Sequence, residues 1–388
     1  MKSLASTLAV AAALFASTVA AAQDSYKIGL SGSLTGPVAG SYAPAVEGLR
    51  LYFDKVNQAG GINGKPVKLI IQDDQGQPSK VAVNARQLLS QDNVDLLINS
   101  SLSSTFAPMI AESKRAKVPL IFAASVCPQE VYPPAQELLF CTTAFAARYD
   151  SRAALAFVEK QAKKEDVKLG LVAMAIPVSR GEIDYAEELA REKGMNPVSK
   201  GAAPPATPDY TPFATNIHNA GANWAYAWAP WVTEVKTLEA LRRLGWKGDY
   251  ITWAHLEAEN DLARIKDEKL YAIGANALFA DNLPVHQEIV AAAKKANTNY
   301  PANQMAEGWI AGMVIEQAFE KAGWPVNSEK LLVALQSLSV DTKGLRGGPI
   351  EWTKDNHFRT HQYYRVYSWD QKASSPRVVQ DWQTYDIK

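Results

Sequence analysis

The sequence predicts an α/β fold in which two parallel β-sheets follow one another along the chain, each with helices on both faces. Three observations support this prediction. Strand and helix patterns alternate over residues 26–123, the alternation restarts over residues 138–253, and a chain of 388 residues is too long for one small core. Two similar halves followed by a shared tail indicate two lobes with more than one chain crossing between them.

The first half contains four strand patterns and three helix patterns. Short apolar runs bounded by Gly or polar residues predict strands, and apolar residues at helical spacing predict helices. Pro44 stands where a helix can start, and the glycines at 60–61 end that helix. The predicted order is a strand at 26–30, a helix from 44 to 59, a strand at 67–71, a helix through 81–89, a strand at 94–98, a helix at 106–116 and a strand at 118–123.

The second half repeats this alternation, and the tail is helical and then strand-like. Ligands of open α/β sheets bind outside the carboxyl ends of the strands, so we expect the site in a cleft between the lobes. The predicted strands are 138–141, 167–173, 197–201, 224–228, 249–253, 349–353 and 361–368, and the predicted helices are 152–163, 182–193, 211–220, 233–244, 283–298, 303–322 and 328–337.

Composition argues against several classes of function. Hydrophobic residues make up 47% and charged residues 21% of the chain, which is typical of a globular protein. Lys and Arg total 40, as do Asp and Glu, so no basic excess favours nucleic acid or a membrane surface as a partner. After residue 22 no apolar stretch is long enough for a membrane span. The Gly-rich segment 29–36 is neither G-x-G-x-x-G nor a P-loop, and no cofactor is expected.

The first 22 residues have the pattern of a secretory signal peptide. Lys2 precedes an apolar run over residues 4–19, and the alanines at 20–22 form a small-residue cleavage site. We therefore expect cleavage near Ala22 and a soluble mature protein in the periplasm. Export permits a disulfide between the two cysteines, Cys127 and Cys141, and two free thiols are the alternative.

Motifs for catalysis and for metal binding are missing from the sequence. It contains no G-x-S-x-G and no H-E-x-x-H motif, and its five histidines are scattered. Asp73 and Asp74 are adjacent on an extended chain, so their side chains point to opposite faces and make a poor metal site. We therefore expect neither an enzyme nor a metal-binding protein.

Two groups of residues are candidates for ligand contact. Hydroxyl side chains at 100–105 lie between a strand and a helix, where they either bind an anion at the helix N-terminus or serve only as N-caps. All ten tryptophans lie at residue 224 or later, and Trp228, Trp231 and Trp253 lie near the ends of two consecutive strands. These three either pack in the core or form an aromatic wall of the cleft.

A set of short segments is distinctive when taken together. The segments are IGLSGSLTGP at 28–37, AGGINGK at 59–65, the aspartates at 73–74 with Pro78, the serine cluster before Pro108, VPLI at 118–121 with AAS at 123–125, LGW at 244–246 and GP at 348–349. Over nearly the whole mature chain they resemble the type I periplasmic solute-binding proteins of ABC importers, in the leucine, isoleucine and valine-binding branch. The resemblance is specific for the family and not for a ligand.

The resemblance implies two Rossmann-like lobes with parallel central sheets, joined by a three-crossing hinge and closing around a ligand. It implies a membrane permease as partner, and we expect a monomer. The implied boundaries are 23–145 and 276–344 for lobe 1, and 146–275 and 345–388 for lobe 2.

The resemblance also implies positions for the ligand contacts. The ligand-holding serine falls on Ser103, and the backbone that clasps the ligand falls on residues 124–126, all in lobe 1. Many relatives carry Thr or Ser at the last of these positions, so Val126 keeps the N–H and lacks the hydroxyl. Ser41 and Tyr42, after the loop of the first strand, are further expected contacts.

Two positions in lobe 2 depart from the amino-acid binders. The acid that holds the ligand ammonium in those relatives falls on Ala254, and a buried ammonium without its partner costs about 2–5 kcal/mol. Arg180 stands where relatives usually carry Tyr, and it either offers a planar fork to a carboxylate or is a solvated surface residue. Acids that would replace the missing one from other positions are Glu234, Glu257 and Glu259.

These departures favour a small carboxylate without an ammonium group and with an aromatic body, such as a benzoate-, hydroxybenzoate- or cinnamate-like acid. The alternatives within the family are a branched-chain or other amino acid, and amides, urea or other small solutes. The alternatives of another class are a sensory receptor of the same fold and a secreted α/β enzyme. The predicted ligand-binding residues are Ser41, Tyr42, Ser103, Ala124, Ser125, Val126, Arg180, Trp228, Trp231, Trp253 and His255.

Overall fold

Two large β-sheets organise the chain. The computed structural model describes residues 25–124, 126–254 and 258–388, so the predicted signal peptide, Ser125 and His255 lie outside the described residues. The first sheet is parallel and has the strand order β2-β1-β3-β4-β5. Strand β3 is buried along its whole length, as expected for a central parallel strand. The strands are β1 Tyr26–Gly32, β2 Val67–Asp73, β3 Leu96–Ser100, β4 Leu120–Phe122 and β5 Leu139–Cys141.

The second sheet has seven strands in the order β14-β13-β10-β9-β8-β6-β7. Its first five strands in chain order are parallel, whereas β13 is antiparallel to both β10 and β14. A separate two-stranded ribbon joins β11 to β12. The strands are β6 Lys168–Met174, β7 Asn196–Ala203, β8 Trp224–Trp228, β9 Asp249–Trp253, β10 Leu270–Gly274, β11 Ser339–Val340, β12 Ile350–Glu351, β13 His361–Asp370 and β14 Ser375–Asp386.

Helices cover both faces of each sheet. Five of them carry proline at their first or second residue, where the missing N–H would have no intrahelical acceptor. The helices are α1 Ala43–Gln58, α2 Pro78–Ser90, α3 Phe106–Ala116, α4 Tyr149–Gln161, α5 Pro177–Glu192, α6 Thr211–Asn219, α7 Trp231–Arg243, α8 Ala258–Ile265, α9 Pro284–Ala296, α10 Ala306–Ala322 and α11 Ser328–Leu335. No helix among these described residues is long and apolar enough to span a membrane.

Each sheet has its own hydrophobic cores. Helices α1, α9, α10 and α11 pack on one face of the first sheet, and α2 and α3 pack on the other. Helices α4 and α5 cover one face of the second sheet, and α6, α7 and α8 cover the other. The chain therefore forms two lobes, with the tail contributing α9–α11 to lobe 1 and β13–β14 to lobe 2.

Helices α1 and α10 approach each other closely through glycines. A Cβ atom at Gly308 would lie 1.7 Å from the Ala45 carbonyl oxygen, and one at Gly48 would lie 2.3 Å from the Met305 carbonyl oxygen. No side chain fits at these positions without moving a backbone. The contact fixes the first turn of α10 against α1, which positions a residue of the cleft described below.

The chain passes between the lobes after β5, after β10 and after β12. Leu345, Ile350 and Trp352 belong to the core of lobe 1, so the third crossing lies beyond Trp352. The predicted boundary at 345 is therefore too early. The crossing comes later because β11 pairs with β12, and this ribbon keeps the segment up to Glu351 on lobe 1.

A buried arginine joins the crossings to one another. The Arg346 guanidinium donates to the Thr142 carbonyl in the first crossing at 2.8 Å, and its backbone pairs with that of Asn276 in the second. Arg359, near the third crossing, donates to the Thr143 carbonyl. Near the same hinge, Cys127 and Cys141 form a disulfide that ties the segment after β4 to β5.

Candidate functional site

A small cavity, partly open to solvent, lies between the lobes at the carboxyl ends of their parallel strands. Both lobes and two of the crossings contribute to its walls. The lining is mostly apolar, with a small number of hydroxyl, amide and carboxylate groups. The lining residues are Ser41, Tyr42, Ser103, Ala124, Val126, Ala144, Phe145, Ile176, Ser179, Trp228, Ala229, Pro230, Trp253, Ala254, Asn276 and Glu307.

Lobe 1 presents hydroxyl and backbone groups to the cavity. Ser103 begins a single helical turn that follows β3 and leads into α3. Ala124 follows β4 in the left-handed region at φ 52°, a conformation that costs a non-glycine residue about 1–2 kcal/mol. Such backbone strain is concentrated at ligand sites, where it sets the direction of neighbouring peptide groups. Ala124 is therefore a strained backbone position in the cavity wall.

A buried carboxylate supports this wall from behind. Asp74 accepts hydrogen bonds from the hydroxyls of Ser31 at 2.8 Å, Ser33 at 3.1 Å and Ser101 at 2.8 Å, and from the Gly76 N–H at 2.8 Å. Burial raises the pKa of Asp74, and the four donors oppose that rise. The serines of the family segment 28–37 and of the cluster 100–105 thus hold the loops after β1, β2 and β3 together. This network explains Asp74 without a metal.

Three aromatic rings form the opposite wall. The Phe145 ring lies 4.8 Å from the Trp253 ring, centroid to centroid, and 5.7 Å from the Trp228 ring, which it meets edge to face. Phe145 belongs to the first crossing, whereas the tryptophans end β9 and β8. Offset and edge-to-face contacts of this kind are the favoured arrangements of aromatic pairs. These three rings make this side of the cavity apolar.

Trp228 is held in place by a buried acid. Its Nε1–H donates to Asp150 Oδ2 at 2.9 Å, and the Tyr364 hydroxyl donates to Asp150 Oδ1 at 2.7 Å. Burial raises the pKa of Asp150 well above its ordinary value, and the neighbouring Glu182 carboxylate adds to the rise. The indole N–H of Trp228 is therefore already used by Asp150.

A second polar region of the cavity is formed by the hinge and α10. Asn276, in the second crossing, donates from its Nδ2 to the Glu307 carboxylate. Both oxygens of Glu307 also lie 3.0 Å from the Arg346 guanidinium, in an ion pair with almost no exposure to solvent. Burial lowers the pKa of Arg346, and Glu307 opposes that shift. Glu307 thus faces the cavity with its charge already paired.

The two lobes touch across the cleft. The Ser103 hydroxyl of lobe 1 accepts a hydrogen bond from the Val178 N–H of lobe 2 at 3.4 Å. A small buried apolar cluster spans the same gap, and it consists of Val38, Tyr42 and Leu102 from lobe 1 with Met174, Ile176 and Ala229 from lobe 2. The structure is therefore a closed form in which both lobes reach the cavity.

The structure brings together seven of the predicted ligand contacts and separates two from them. Ser125 and His255 lie outside the described residues. The seven that line the cavity are Ser41, Tyr42, Ser103, Ala124, Val126, Trp228 and Trp253.

The placement of Arg180 and Trp231 in the site is wrong. Arg180 is exposed on α5, because successive helical residues are about 100° apart and its neighbour Ser179 takes the inward direction. Trp231 starts α7 and packs in the core on the other side of the sheet, where its Nε1–H donates to the Asp261 carboxylate. Neither residue lines the cavity.

Five polar or bulky apolar residues of the cavity wall were not predicted from the sequence. Of these, Glu307 had a signal, since it is an acid inside the apolar run of the predicted helix 303–322. Ser179 is the neighbour of the predicted residue Arg180 on α5. Its hydroxyl accepts a hydrogen bond from the Met174 N–H and donates one to the Trp228 carbonyl. The crossing residues had no local signal. The five are Phe145, Ile176, Ser179, Asn276 and Glu307.

The acids proposed as replacements at Ala254 have other partners. Glu234 accepts from the Ala229 N–H at 2.9 Å, and Glu259 accepts from the backbone N–H groups of Phe279 and Ala280. Neither lines the cavity, and Glu257 lies outside the described residues. Across the described ranges no group of three or more potential metal ligands comes together.

A family model for the periplasmic binding proteins matches residues 25–374. The chain belongs to the periplasmic binding protein family. This confirms the resemblance, and the α/β model with two sheets confirms the predicted fold class. Proteins of this type bind small molecules and work with membrane permeases of ABC transporters, and the family is periplasmic.

Individual relatives are distant in sequence and similar in structure. The leucine-, isoleucine-, valine-, threonine- and alanine-binding protein of Pseudomonas aeruginosa is 23% identical over 95% of this chain and 96% of its own. A branched-chain amino acid ABC transporter protein from Thermus thermophilus with bound valine has a TM-score of 0.81 and 17% identity, over 94% of this chain and 98% of its own. A solute-binding protein from Rhodopseudomonas palustris in complex with 3,4-dihydroxybenzoic acid has a TM-score of 0.77 and 18% identity over the same shares.

Proposed function

We propose that this periplasmic binding protein captures a small aromatic carboxylate for an ABC importer. The observation that carries the proposal is the aromatic wall of the cavity, which is formed by Phe145, Trp228 and Trp253. The rings come from two different strand ends and a crossing, so they are oriented by the fold. An aromatic body stacked here would bury most of its surface.

The carboxylate end of the ligand would be held by neutral donors from lobe 1. None of the described lining residues is Lys or Arg, so no cation is available in the wall. The proposed donors are the Ser103 hydroxyl and the backbone N–H groups of Ala124 and Val126, three residues that line the cavity. Hydrogen bonds from neutral donors to a carboxylate are charge-assisted and short, and several of them replace one ion pair.

None of the described lining residues offers a free acid to an ammonium group. Ala254 lines it at the position where amino-acid binders carry an acid, and Glu307 is already paired with Arg346. A buried ammonium opposite Ala254 would lose its partner at a cost of about 2–5 kcal/mol. This favours an acid without an amino group, such as a benzoate-, hydroxybenzoate- or cinnamate-like molecule.

An amino acid is the second candidate ligand. The observation that favours it is the Glu307 carboxylate itself, which lines the cavity and would meet an ammonium if Arg346 turned away. Solved structures of the same fold are described with either kind of ligand, valine in one and 3,4-dihydroxybenzoic acid in another. At this level of identity they show the fold alone, and the choice between the candidates depends on the cavity.

In the proposed mechanism the protein binds and closes, and performs no chemistry. Ligand contacts both lobes only in the closed form, so it shifts the population toward closure by its differential affinity. The closed surface is then presented to the permease. The chain would be exported with its signal peptide cleaved near Ala22 and would act as a monomer.

Calorimetric titration of the exported, ligand-stripped protein tests the ligand class. Benzoate, hydroxybenzoates and cinnamates are compared with leucine, isoleucine, valine, phenylalanine and simple amides. We expect micromolar or tighter binding of at least one aromatic acid and no binding of the amino acids. Tight binding of an amino acid with silent aromatic acids would overturn the proposal and favour the second candidate.

Two variants sharpen this test. Phe145→Leu removes the ring that touches both tryptophans and should weaken an aromatic acid strongly. Arg180→Ala is the control, because Arg180 is exposed and should leave the affinity unchanged. A loss of affinity in Arg180→Ala equal to that in Phe145→Leu would contradict the site as described.

A further inference from the structure

One buried carboxyl group, that of Asp150, is connected to each of the three rings of the aromatic wall. Asp150 lies in the first turn of α4 and is completely buried. It accepts hydrogen bonds from side chains of two strands and from the backbone of the first crossing. Three separate segments therefore meet at one side chain, and each of them leads to one ring of the wall.

The connection to Trp228 is direct. The Trp228 Nε1–H donates to Asp150 Oδ2 at 2.9 Å. An indole has one donor and no acceptor, so this is the one conventional hydrogen bond that the side chain can donate. The same side chain lines the cavity and is buried. The bond to Asp150 therefore restricts the rotation of a ring that faces the ligand site.

The connection to Phe145 runs through the backbone on either side of it. Ala146, the next residue, donates its N–H to both oxygens of Asp150 at 3.1 Å. Ala144, the preceding residue, accepts a hydrogen bond on its carbonyl from Gln362 Nε2 at 2.6 Å. Asp150 and Gln362 both belong to lobe 2, in α4 and β13. The backbone of Phe145 is therefore fixed to lobe 2, although the residue lies in the first crossing.

The connection to Trp253 runs through a tyrosine. The Tyr364 hydroxyl donates to Asp150 Oδ1 at 2.7 Å. The Tyr364 ring meets the Trp253 ring edge to face, with centroids 5.9 Å apart. Tyr364 is completely buried, so its hydrogen bond and its ring contact together determine where the ring lies. The third ring of the wall is thus supported from the same carboxyl group.

The aromatic wall forms one unit with lobe 2. The two tryptophans are part of the hydrophobic core of this lobe, and the phenylalanine packs against that core. On the other side of the crossing, the Thr142 N–H donates to the Phe122 carbonyl of β4 at 3.0 Å, which keeps Thr142 on lobe 1. The chain thus changes lobe between Thr142 and Ala144. A movement of the lobes about this point would leave the wall intact.

We propose that Asp150 is a positioning residue of the ligand site, which holds the aromatic wall in its binding arrangement before a ligand arrives. Asp150 is not among the described lining residues, so it acts through the groups that it holds. A preorganised site binds more tightly, because the ligand does not have to order the side chains. This inference rests on the proposed function, since it takes the cavity as the ligand site.

The next residue of α4 offers a matched control. Ser151 is completely buried like Asp150. Its hydroxyl donates to the Glu182 carboxylate and lies 3.3 Å from the Tyr226 hydroxyl oxygen. Neither of these partners lines the cavity. Ser151→Ala therefore removes a buried hydrogen bond from the same helical turn and leaves the anchors of the aromatic wall in place.

Calorimetric titration of the exported protein measures the effect on binding. The probe is the acid that the wild type binds most tightly among benzoate, 4-hydroxybenzoate and cinnamate. Asp150→Ala should weaken this acid by about 10-fold or more, because the ligand must then order the rings itself. Ser151→Ala should keep the wild-type affinity. Equal affinities of the wild type and Asp150→Ala, or an equal loss in Ser151→Ala, would overturn the proposal.

Asp150→Asn is the conservative variant that should restore most of the affinity lost in Asp150→Ala. Its amide oxygen can accept from Trp228 and Ala146, and its amide nitrogen can donate to the Tyr364 hydroxyl, which accepts as well as donates. A loss in Asp150→Asn as large as that in Asp150→Ala would overturn the role of these hydrogen bonds.

Nuclear magnetic resonance of the ligand-free protein tests the positioning itself. The indole N–H signal of Trp228 is identified by its absence from the spectrum of Trp228→Phe. In the ligand-free wild type this N–H should exchange slowly with solvent, because the bond to buried Asp150 protects it. In Asp150→Ala it should shift and exchange faster. Rapid exchange in the ligand-free wild type would overturn the proposal, even if Asp150→Ala did not fold.

Failure of the proposed function would be recognised separately. If leucine, isoleucine, valine or phenylalanine bound and the aromatic acids did not, the proposed ligand class would be wrong. The same variants would then be titrated with that amino acid. A loss of about 10-fold in Asp150→Ala alone would still support the positioning role, and equal affinities would overturn it.

Discussion

Ser103 lines the cavity and joins the lobes with the same hydroxyl. Its oxygen accepts from the Val178 N–H across the cleft, which leaves its own proton free to be donated to a ligand carboxylate. The same hydroxyl would thus bind the ligand and form a hydrogen bond to lobe 2 in the closed form. A hydroxyl is suited to this because it both accepts and donates.

Ser103→Ala should weaken binding of the preferred acid roughly 10- to 150-fold. The reason is the loss of a hydrogen bond to a charged group, worth about 1.5–3 kcal/mol. Ser104→Ala is the matched control from the same helical turn, since Ser104 does not line the cavity. Calorimetry measures the affinity of both variants for the acid. Equal affinities would show that Ser103 makes no ligand contact.

At the scale of elements, α10 connects the cleft to the hinge. Its glycine contact with α1 fixes the first turn, and that turn carries Glu307 between the cavity and Arg346. Arg346 in turn holds the first crossing through the Thr142 carbonyl. The ion pair is fully buried, so each charge depends on the other for its solvation.

Glu307→Gln should destabilise the protein by about 3–5 kcal/mol, because it leaves the Arg346 charge buried without a counter-charge. Urea unfolding followed by circular dichroism measures the change. Glu320→Gln, on an exposed position of the same helix, should have almost no effect. If Glu307→Gln matched that control, the buried pair would not contribute to stability as described.

Several elements were predicted correctly and others were missed for identifiable reasons. The strand at 138–141 was predicted at the start of the second alternation, but it pairs with β4 as the last strand of the first sheet. Strand β14 was missed because its residues are mostly polar and partly exposed, and its only sheet partner is β13. Pairing of this kind depends on another segment and leaves little periodicity in the strand itself.

Lobe 2 contains two buried acids, Asp150 and Glu182, and neither forms an ion pair within the part of the chain that the structure describes. Burial raises the pKa of Asp150 well above its ordinary value, with a contribution from Glu182, and burial also raises the pKa of Glu182. The folded state therefore keeps protons that the unfolded chain releases above the ordinary carboxyl pKa. It follows that the free energy of unfolding falls as pH rises through that range.

Asp150→Asn should flatten this pH dependence. Each retained proton contributes a slope of up to about 1.4 kcal/mol per pH unit, and the variant removes one titrating group. Urea unfolding between about pH 4.5 and 8 measures the slope. Asp166→Asn, at an exposed position, is the control and should leave it unchanged. An unchanged slope in Asp150→Asn would mean that Asp150 is ionised in the folded protein.

The α/β class, the family and seven of the residues that line the cavity could be predicted from the amino-acid sequence. These rest on local information, because strand and helix periodicity and the short family segments are read within a few residues of each other. Ser103 lies three residues after β3 and Ala124 lies two residues after β4, so both are close to the strand ends that form the cleft.

Which side chains turn inward, and what charge the cavity presents, depends on long-range contacts in the folded chain. The helical phase of α5 sends Ser179 into the cleft and Arg180 into solvent. Phe145, Asn276 and Glu307 meet from positions more than 30 residues apart, through crossings and a helix contact that no local pattern encodes. The neutralisation of Glu307 by Arg346 joins residues 39 positions apart, and such long-range pairing exists only in the folded chain.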